Sequence, residues 1–217
     1  MNTFVIGLVG VKTSGKSTVS HMIHEFEPEA TETALANKLK NTCCLVFGLE
    51  RNQFDKQELK EIPFEIPKIL TNEDIQCVLE EFHIYMTKVE IDSKYDFIGM
   101  SLNSPRHIAQ IVGTEVLRVG GDQDIHCRQI KIKKHGVTIV SDCRFPNEFD
   151  YFYKMPDIKF IPIYIQRDEA EKVITENSHP SERCVFEFRD RCFKVDNNGT
   201  LSETERQVKA ILDREIV

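Results

Sequence analysis

The stretch Gly10-Val11-Lys12-Thr13-Ser14-Gly15-Lys16-Ser17 constrains this chain more than any other, because of what flanks it. Phe4 to Val9 is a continuous apolar run, the pattern of a parallel strand covered on both faces. Ser17 to Phe26 carries Val19, Met22, Ile23 and Phe26 at helical spacing and stops before Pro28. Strand, glycine-punctuated turn and helix in that order match G-x-x-x-x-G-K-[ST] without deviation. Gly10 and Gly15 permit backbone angles that turn several N–H groups into one concavity, and the helix N-terminus adds partial positive charge. Such a cradle fits the polyphosphate tail of a nucleoside triphosphate. Lys16 can reach the β- and γ-phosphates, and the Ser17 hydroxyl can ligate Mg²⁺. Lys12, Ser14 and Thr18 belong to the same expected contact surface.

The remaining periodicities predict strands separated by helices. Residues 34–47 repeat Leu35, Leu39, Cys43 and Val46 along one helical face, which Gly48 ends. Residues 49–70 hold Pro63 and Pro67 among charges and predict an insert with short helices only. Thr71 is an N-cap for a helix over 72–82, and 84–100 reads as mostly irregular. Ser104-Pro105 opens a helix to about Arg118, and a further helix is expected over 125–134. Residues 136–142 and 158–166 are buried strands, with a short helix over 146–154 between them. Phe193 to Val195 is a short last strand. Asn198-Gly199 then turns into a final helix, where Thr200 and Glu203 have capping-box spacing and Val208, Ile211 and Leu212 form the buried side. This order predicts an α/β three-layer sandwich with a doubly wound, mostly parallel sheet, binding ligands beyond the strands' C-terminal ends. With 217 residues, one domain over 1–217 is expected, with a helical acceptor-binding region over about 34–120 and a lid over 167–192.

Composition removes several classes. Hydrophobic residues make up 41% and charged residues 29%, the balance of a soluble globular enzyme. A net charge of −7 weighs against a protein whose task is gripping nucleic acid, so no direct nucleic-acid binding is expected. Seven cysteines without a C-x-x-C pair make zinc and disulfide frameworks poor readings and favour idle thiols in a reducing cytosol. The apolar runs are strand-sized, and the N-terminus lacks a signal peptide's basic start. No membrane association is expected, and the cytoplasm is the expected location.

Asp142 ends its strand, where a carboxylate can hold a Mg²⁺ hydration shell or orient an acceptor if that strand neighbours the first. It can equally be a polar strand terminus. Arg144 can neutralise phosphate charge with its planar fork, or pair with Glu148 on the surface. Arg167, Arg183, Arg189 and Arg191 suit a cationic flap, yet seven acidic residues in the same segment suit a solvated surface. Arg106, Gln110, Thr114 and Arg118 recur at three- and four-residue steps near one helical face, suited to reading a base and a phosphate, or merely exposed. Lys38 and Lys40 stay equally open.

Taken in order, these elements resemble the deoxynucleoside monophosphate kinases of tailed bacteriophages, within the adenylate-kinase-like branch of P-loop proteins. The resemblance runs through Gly10–Ser17, Ala36-Asn-Lys-Leu-Lys40, Arg106-His-Ile-Ala-Gln110-Ile-Val-Gly113-Thr114, Ser141-Asp-Cys-Arg-Phe-Pro-Asn-Glu148, His179-Pro-Ser-Glu182 and Asp196-Asn-Asn-Gly-Thr200. It implies ATP as phosphoryl donor on Lys16, with Mg²⁺ at Ser17 and Asp142. It also implies Asp142 and Arg144 at the transfer centre, with Arg144 on acceptor phosphate, and Arg167 as the lid's first arginine. Lys40, Arg106, Gln110 and Arg118 would face the acceptor, and 197–200, Asn198 included, would lie near the adenine. Small-molecule nucleotides are the implied partners, for a monomer or homodimer. Another small-molecule kinase of the branch, such as a dephospho-coenzyme A kinase, and a nucleotide-binding switch or regulatory ATPase module are the alternatives.

Overall fold

In the computed structural model, which describes residues 2–216, the first apolar run is strand β1 (Thr3–Val9), and the loop after it opens α1 (Lys16–Phe26). There follow β2 (Thr31–Thr33), α2 (Ala36–Phe47), α3 (Asn52–Asp55), α4 (Gln57–Lys60), β3 (Lys68–Ile69), α5 (Asn72–Glu81) and α6 (Lys88–Lys94). Next come β4 (Ser101–Leu102), α7 (Pro105–Gln110), a π-helix (Ile111–Val119), β5 (Val137–Cys143), α8 (Pro146–Lys154) and β6 (Ile158–Gln166). The chain closes with α9 (Asp168–Glu171), α10 (Pro180–Arg183), α11 (Val185–Phe188), β7 (Phe193–Asp196) and α12 (Leu201–Glu215). These form two compact units: the residues up to Leu35 together with those from Ile130 onward, and Ala36–Gln129.

The first unit is built on a five-stranded sheet of order β2-β5-β1-β6-β7, in which every pairing is parallel. Alternation along β1 assigns its side chains to two faces. Phe4, Ile6 and Leu8 join Val19 and Ile23 of α1 and Val208, Ile211 and Leu212 of α12 in one apolar cluster. On the other face, Phe149 and Phe152 of α8 meet Phe160 of β6, and Phe149 also meets Phe188 of α11. Gly7 makes room there, since a Cβ would stand 2.8 Å from the Phe160 ring. With helices on both faces this is a three-layer α/β fold. Each fully buried aliphatic side chain such as Ile6 or Leu8 contributes about 1.5–3 kcal/mol. The second unit has its own core, including Leu39, Ile75, Leu79, Ile91, Val112 and Val116.

Some of the expected elements differ in the structure. No helix fills 125–134: only a single 3-10 turn forms at Cys127–Gln129. The Lys133 amide bonds instead to Thr138 Oγ1 at 2.9 Å and the His135 amide to Thr3 Oγ1 at 3.1 Å, and His135 is left-handed at φ 55°. These amides tie the chain to strands β5 and β1 rather than to a helical turn. The stretch over 84–100 is mostly irregular, as expected, except for α6, which the reciprocal capping box of Thr87 and Glu90 starts. The helix expected to Arg118 is α-helical only to Gln110; beyond it the turns widen, and the Gly120 amide bonds to Glu115 O, five residues back. Strand β2, three residues long and mostly exposed, carries no periodic signal.

Candidate active site

Both motif glycines are required by the geometry of the loop. Gly10 has φ 151°, and a Cβ there would lie 2.6 Å from Ser14 Oγ and 2.9 Å from the Ile165 carbonyl of β6. Gly15 has φ 104°, and a Cβ would lie 2.2 Å from Asn197 Nδ2. Thr13 between them is left-handed at φ 64°, a strained conformation for a β-branched residue. Lys16 folds back over the loop, its Nζ donating to Gly10 O at 2.6 Å and Val11 O at 2.7 Å. Ser17 and Thr18 are exposed at the first turn of α1, and Ser14 is fully buried beneath.

The loop is braced from both sides by residues distant in sequence. Asn197, in the turn between β7 and α12, donates from Nδ2 to Ser14 O at 2.8 Å, and its Oδ1 accepts from Thr204 Oγ1 at 3.0 Å. Its neighbour Asn198 points elsewhere: Nδ2 reaches Asp196 Oδ1, and Oδ1 accepts from the Asp168 amide. On the opposite flank Glu182 Oε2 accepts from the Lys12 amide at 2.8 Å, while Oε1 takes Arg144 Nη1 at 2.7 Å. Glu182 is buried. Burial pushes its carboxyl up, but the Arg144 guanidinium, the Lys12 amide and the Lys16 ammonium outweigh this and hold it below the ordinary glutamate range.

Arg144 is fixed at its backbone as well. The Glu148 carboxylate, buried at the start of α8, accepts from the amides of Arg144 at 2.6 Å and Phe145 at 3.1 Å. The surface pairing of Arg144 with Glu148 is therefore not formed through the guanidinium, which turns to Glu182. Asp142 satisfies the condition set for it. Strand β5 lies beside β1 in register Val9↔Cys143, which puts Asp142 at the sheet end from which the loop departs. Its Oδ1 accepts from the Leu35 amide at 2.6 Å. A hydroxyl at Ser17 and a carboxylate at Asp142 are hard oxygen donors, and no cluster of three or more His, Cys, Asp or Glu ligands occurs among the described residues. That donor set fits Mg²⁺, which takes one or two protein oxygens and completes its shell with phosphates and water. With glycine loop, strand-end carboxylate and arginine on one unit, the chain has a recognisable counterpart. It is similar to the deoxynucleoside-5'-monophosphate kinase of Escherichia phage T5. The two are 23% identical over a 212-residue alignment that covers 82% of this chain and 83% of that protein. No protein-family model matches the chain.

The arginines after β6 have divergent surroundings. Arg167 is exposed and pairs with Glu169 at 3.7 Å. Arg191 packs over Phe149 at 4.2 Å and pairs with Asp150, which commits it to structure. The segment is anchored, not wholly solvent-facing: Ala170, Glu182, Val185 and Phe188 are buried, and Tyr164 donates to Glu171 at 2.8 Å.

Within the second unit, Lys40 pairs with Asp55 at 2.9 Å, and Arg51 holds the same carboxylate. Burial raises the Asp55 carboxyl, and Lys40 and Arg51 together lower it past its ordinary value. Arg106 pairs with Glu61 at 2.6 Å. Gln110 is the last α-helical residue, half-buried. Arg118 is buried in the π-helix and donates to Gln123 O at 3.1 Å, so the one-face relation read from α-helical steps does not extend to it. Sequence reasoning missed Glu182 and Asn197 as loop braces. The His-Pro-Ser-Glu and Asn-Asn-Gly elements were the only local signals for them.

Proposed function

We propose that this chain transfers the γ-phosphoryl group of ATP, with Mg²⁺, to a deoxynucleoside 5'-monophosphate. The observation that carries the reading is Arg144, a guanidinium suited to phosphate and joined through one carboxylate to the loop itself. A hydrolytic switch needs a positioned water; a transferase needs a second cation for the acceptor's phosphate. The likeness to the phage T5 enzyme supports the same choice. In this reading the amides from Gly10 to Thr18 cradle the donor's phosphates, with Lys12 and Ser14 shaping the loop. Lys16 leaves its carbonyl partners to meet the β- and γ-oxygens. Ser17 and Asp142 would hold Mg²⁺, which would supply charge neutralisation to the donor's phosphates. Arg144 takes the acceptor phosphate, Arg167 adds charge from the lid segment, and Asn198 lies near the adenine. Lys40, Arg106, Gln110 and Arg118 bind the acceptor. The protein forms no covalent intermediate, and the rate comes from orientation and charge neutralisation.

A coupled assay of ADP release, with ATP and Mg²⁺ and each of the four dNMPs in turn, tests this. Acceptor-dependent turnover is the expected result. ADP release indifferent to every dNMP refutes it, and dephospho-coenzyme A as a fifth acceptor separates the related kinase. Lys16→Ala should abolish turnover and leave the circular dichroism spectrum unchanged.

A further inference from the structure

Resting on the phosphotransfer reading, we propose that Glu182 is the positioning residue that couples the phosphate loop to Arg144. The local sequence builds it for this. His179 Nδ1 caps α10 by accepting from the Ser181 amide at 3.2 Å, and Pro180 starts the helix with a preset φ. Glu182 therefore falls in the first turn on a short, stiff element. Val185 and Phe188, fully buried just beyond, hold that element down. Its two oxygens do separate jobs: one fixes the Lys12 amide, 170 residues away, and the other fixes the direction of the Arg144 fork.

Stability alone does not account for this arrangement. A buried carboxylate paired with an arginine is near neutral for folding against an apolar replacement. A carboxylate beside a phosphate cradle also repels the ligand, a cost that a purely structural brace would avoid by standing elsewhere. The arrangement makes sense where the gain is geometric. Loop and arginine must address two phosphates in line, and a misplacement of about 1 Å costs about 100-fold in rate. Glu182 touches neither phosphate. It acts through Arg144 and Lys12.

The test compares wild type, Glu182→Gln, Glu182→Asp, Arg144→Ala and the Glu182→Gln/Arg144→Ala double variant in the dNMP-dependent ADP-release assay. Glu182→Gln is expected to lower kcat by about 10–100-fold while the KM for ATP stays within about threefold. In the Arg144→Ala background, the same change should cost less than about twofold, because Arg144 is gone and the glutamine carbonyl still accepts from the Lys12 amide. Glu182→Asp keeps the charge but withdraws it by one methylene. Its expected loss of about 3–10-fold keeps the test decidable should the glutamine variant fold poorly. An active wild type with an unaltered kcat in Glu182→Gln overturns this inference alone, as do losses that multiply independently in the double variant. Tighter ATP binding with faster turnover in Glu182→Gln overturns it too, since that is the mark of a carboxylate that merely blocks the cradle. A wild type that phosphorylates no acceptor overturns both this inference and the function on which it rests.

Discussion

Removing the Asn197 side chain should loosen the glycine loop after β1 without touching any residue of the motif. In Asn197→Ala the backbone bond from Asn197 N to Gln166 O at 2.9 Å persists, so the turn itself survives. What disappears is the Nδ2 bond to Ser14 O and the Oδ1 bond from Thr204. Thr204 Oγ1 also lies 3.2 Å from Thr200 O, so its hydroxyl keeps an acceptor and that half of the loss is small. Among the described residues the Ser14 carbonyl has no second donor of this kind, and a net hydrogen bond is worth about 1 kcal/mol. The total comes to about 1.5 kcal/mol, or about 3–6 °C in melting temperature for a chain of this size. Asn198→Ala, one residue on, removes only exposed bonds and should stay within about 0.5 kcal/mol.

Differential scanning calorimetry with and without MgATP reads both parts of the effect. A looser loop must be ordered on binding, so the nucleotide should raise the melting temperature of Asn197→Ala by less than that of wild type. Gly15→Ala supplies the cross-check. Its new Cβ would crowd Asn197 Nδ2 while its φ of 104° adds strain of about 1–3 kcal/mol. In the double variant the crowding vanishes and the strain stays, so the two losses should sum to less than their separate values. An Asn197→Ala protein that melts with wild type, or an Asn198→Ala protein that loses more, refutes the assignment of the brace.

Three further outcomes are expected. Thr13→Gly relieves the left-handed β-branched residue and should stabilise the free protein by about 0.5–1 kcal/mol; a lower melting temperature contradicts the strain. Tyr95→Phe strips the π-helix carbonyl of Val116 of its 3.2 Å donor and should cost about 1–2 kcal/mol in urea unfolding, and an unchanged midpoint with unchanged slope rules the bond out as a support. Glu182, whose carboxyl is held below the usual glutamate value of 4.5, favours the folded state above that pH and loses this contribution as pH falls through its lowered folded value. The stability difference between wild type and Glu182→Gln should therefore be flat near neutrality and shrink only in acid; a difference that grows on acidification reverses the sign.

How far the sequence could be read depended on whether the cause was local. Strand β1, the loop and α1 were legible because apolar run, glycines and helical spacing all lie within 23 residues, Phe4 to Phe26. Asp142 was legible as a strand end, but its neighbour was not, since strand order is a tertiary fact. The helix over 125–134 failed because the Lys133 amide turned to Thr138 and the His135 amide found its partner on Thr3, 132 residues away, which no window of residues could reveal. The π-helix failed differently: 3.6-residue steps are assumed in the reading, and the widened turns after Gln110 break them. Helix α6 is the instructive case. Thr87 and Glu90 stood at capping-box spacing in plain view, but a single buried Ile91 gave no apolar stripe to draw attention to them.

Glu182 shows the same division at the site. In its segment it is one acidic residue among seven, and composition assigns all seven to a solvated surface. Only burial separates it from Glu169, which stays in water. The loop motif therefore describes the part of the cradle that eight neighbouring residues can specify: φ values at two glycines, a lysine, a hydroxyl. It leaves out what keeps the loop in shape once formed. That is supplied by Asn197 on one flank and Glu182 on the other, and a chain that kept the motif but lost both residues would match the pattern equally well while holding its loop less firmly.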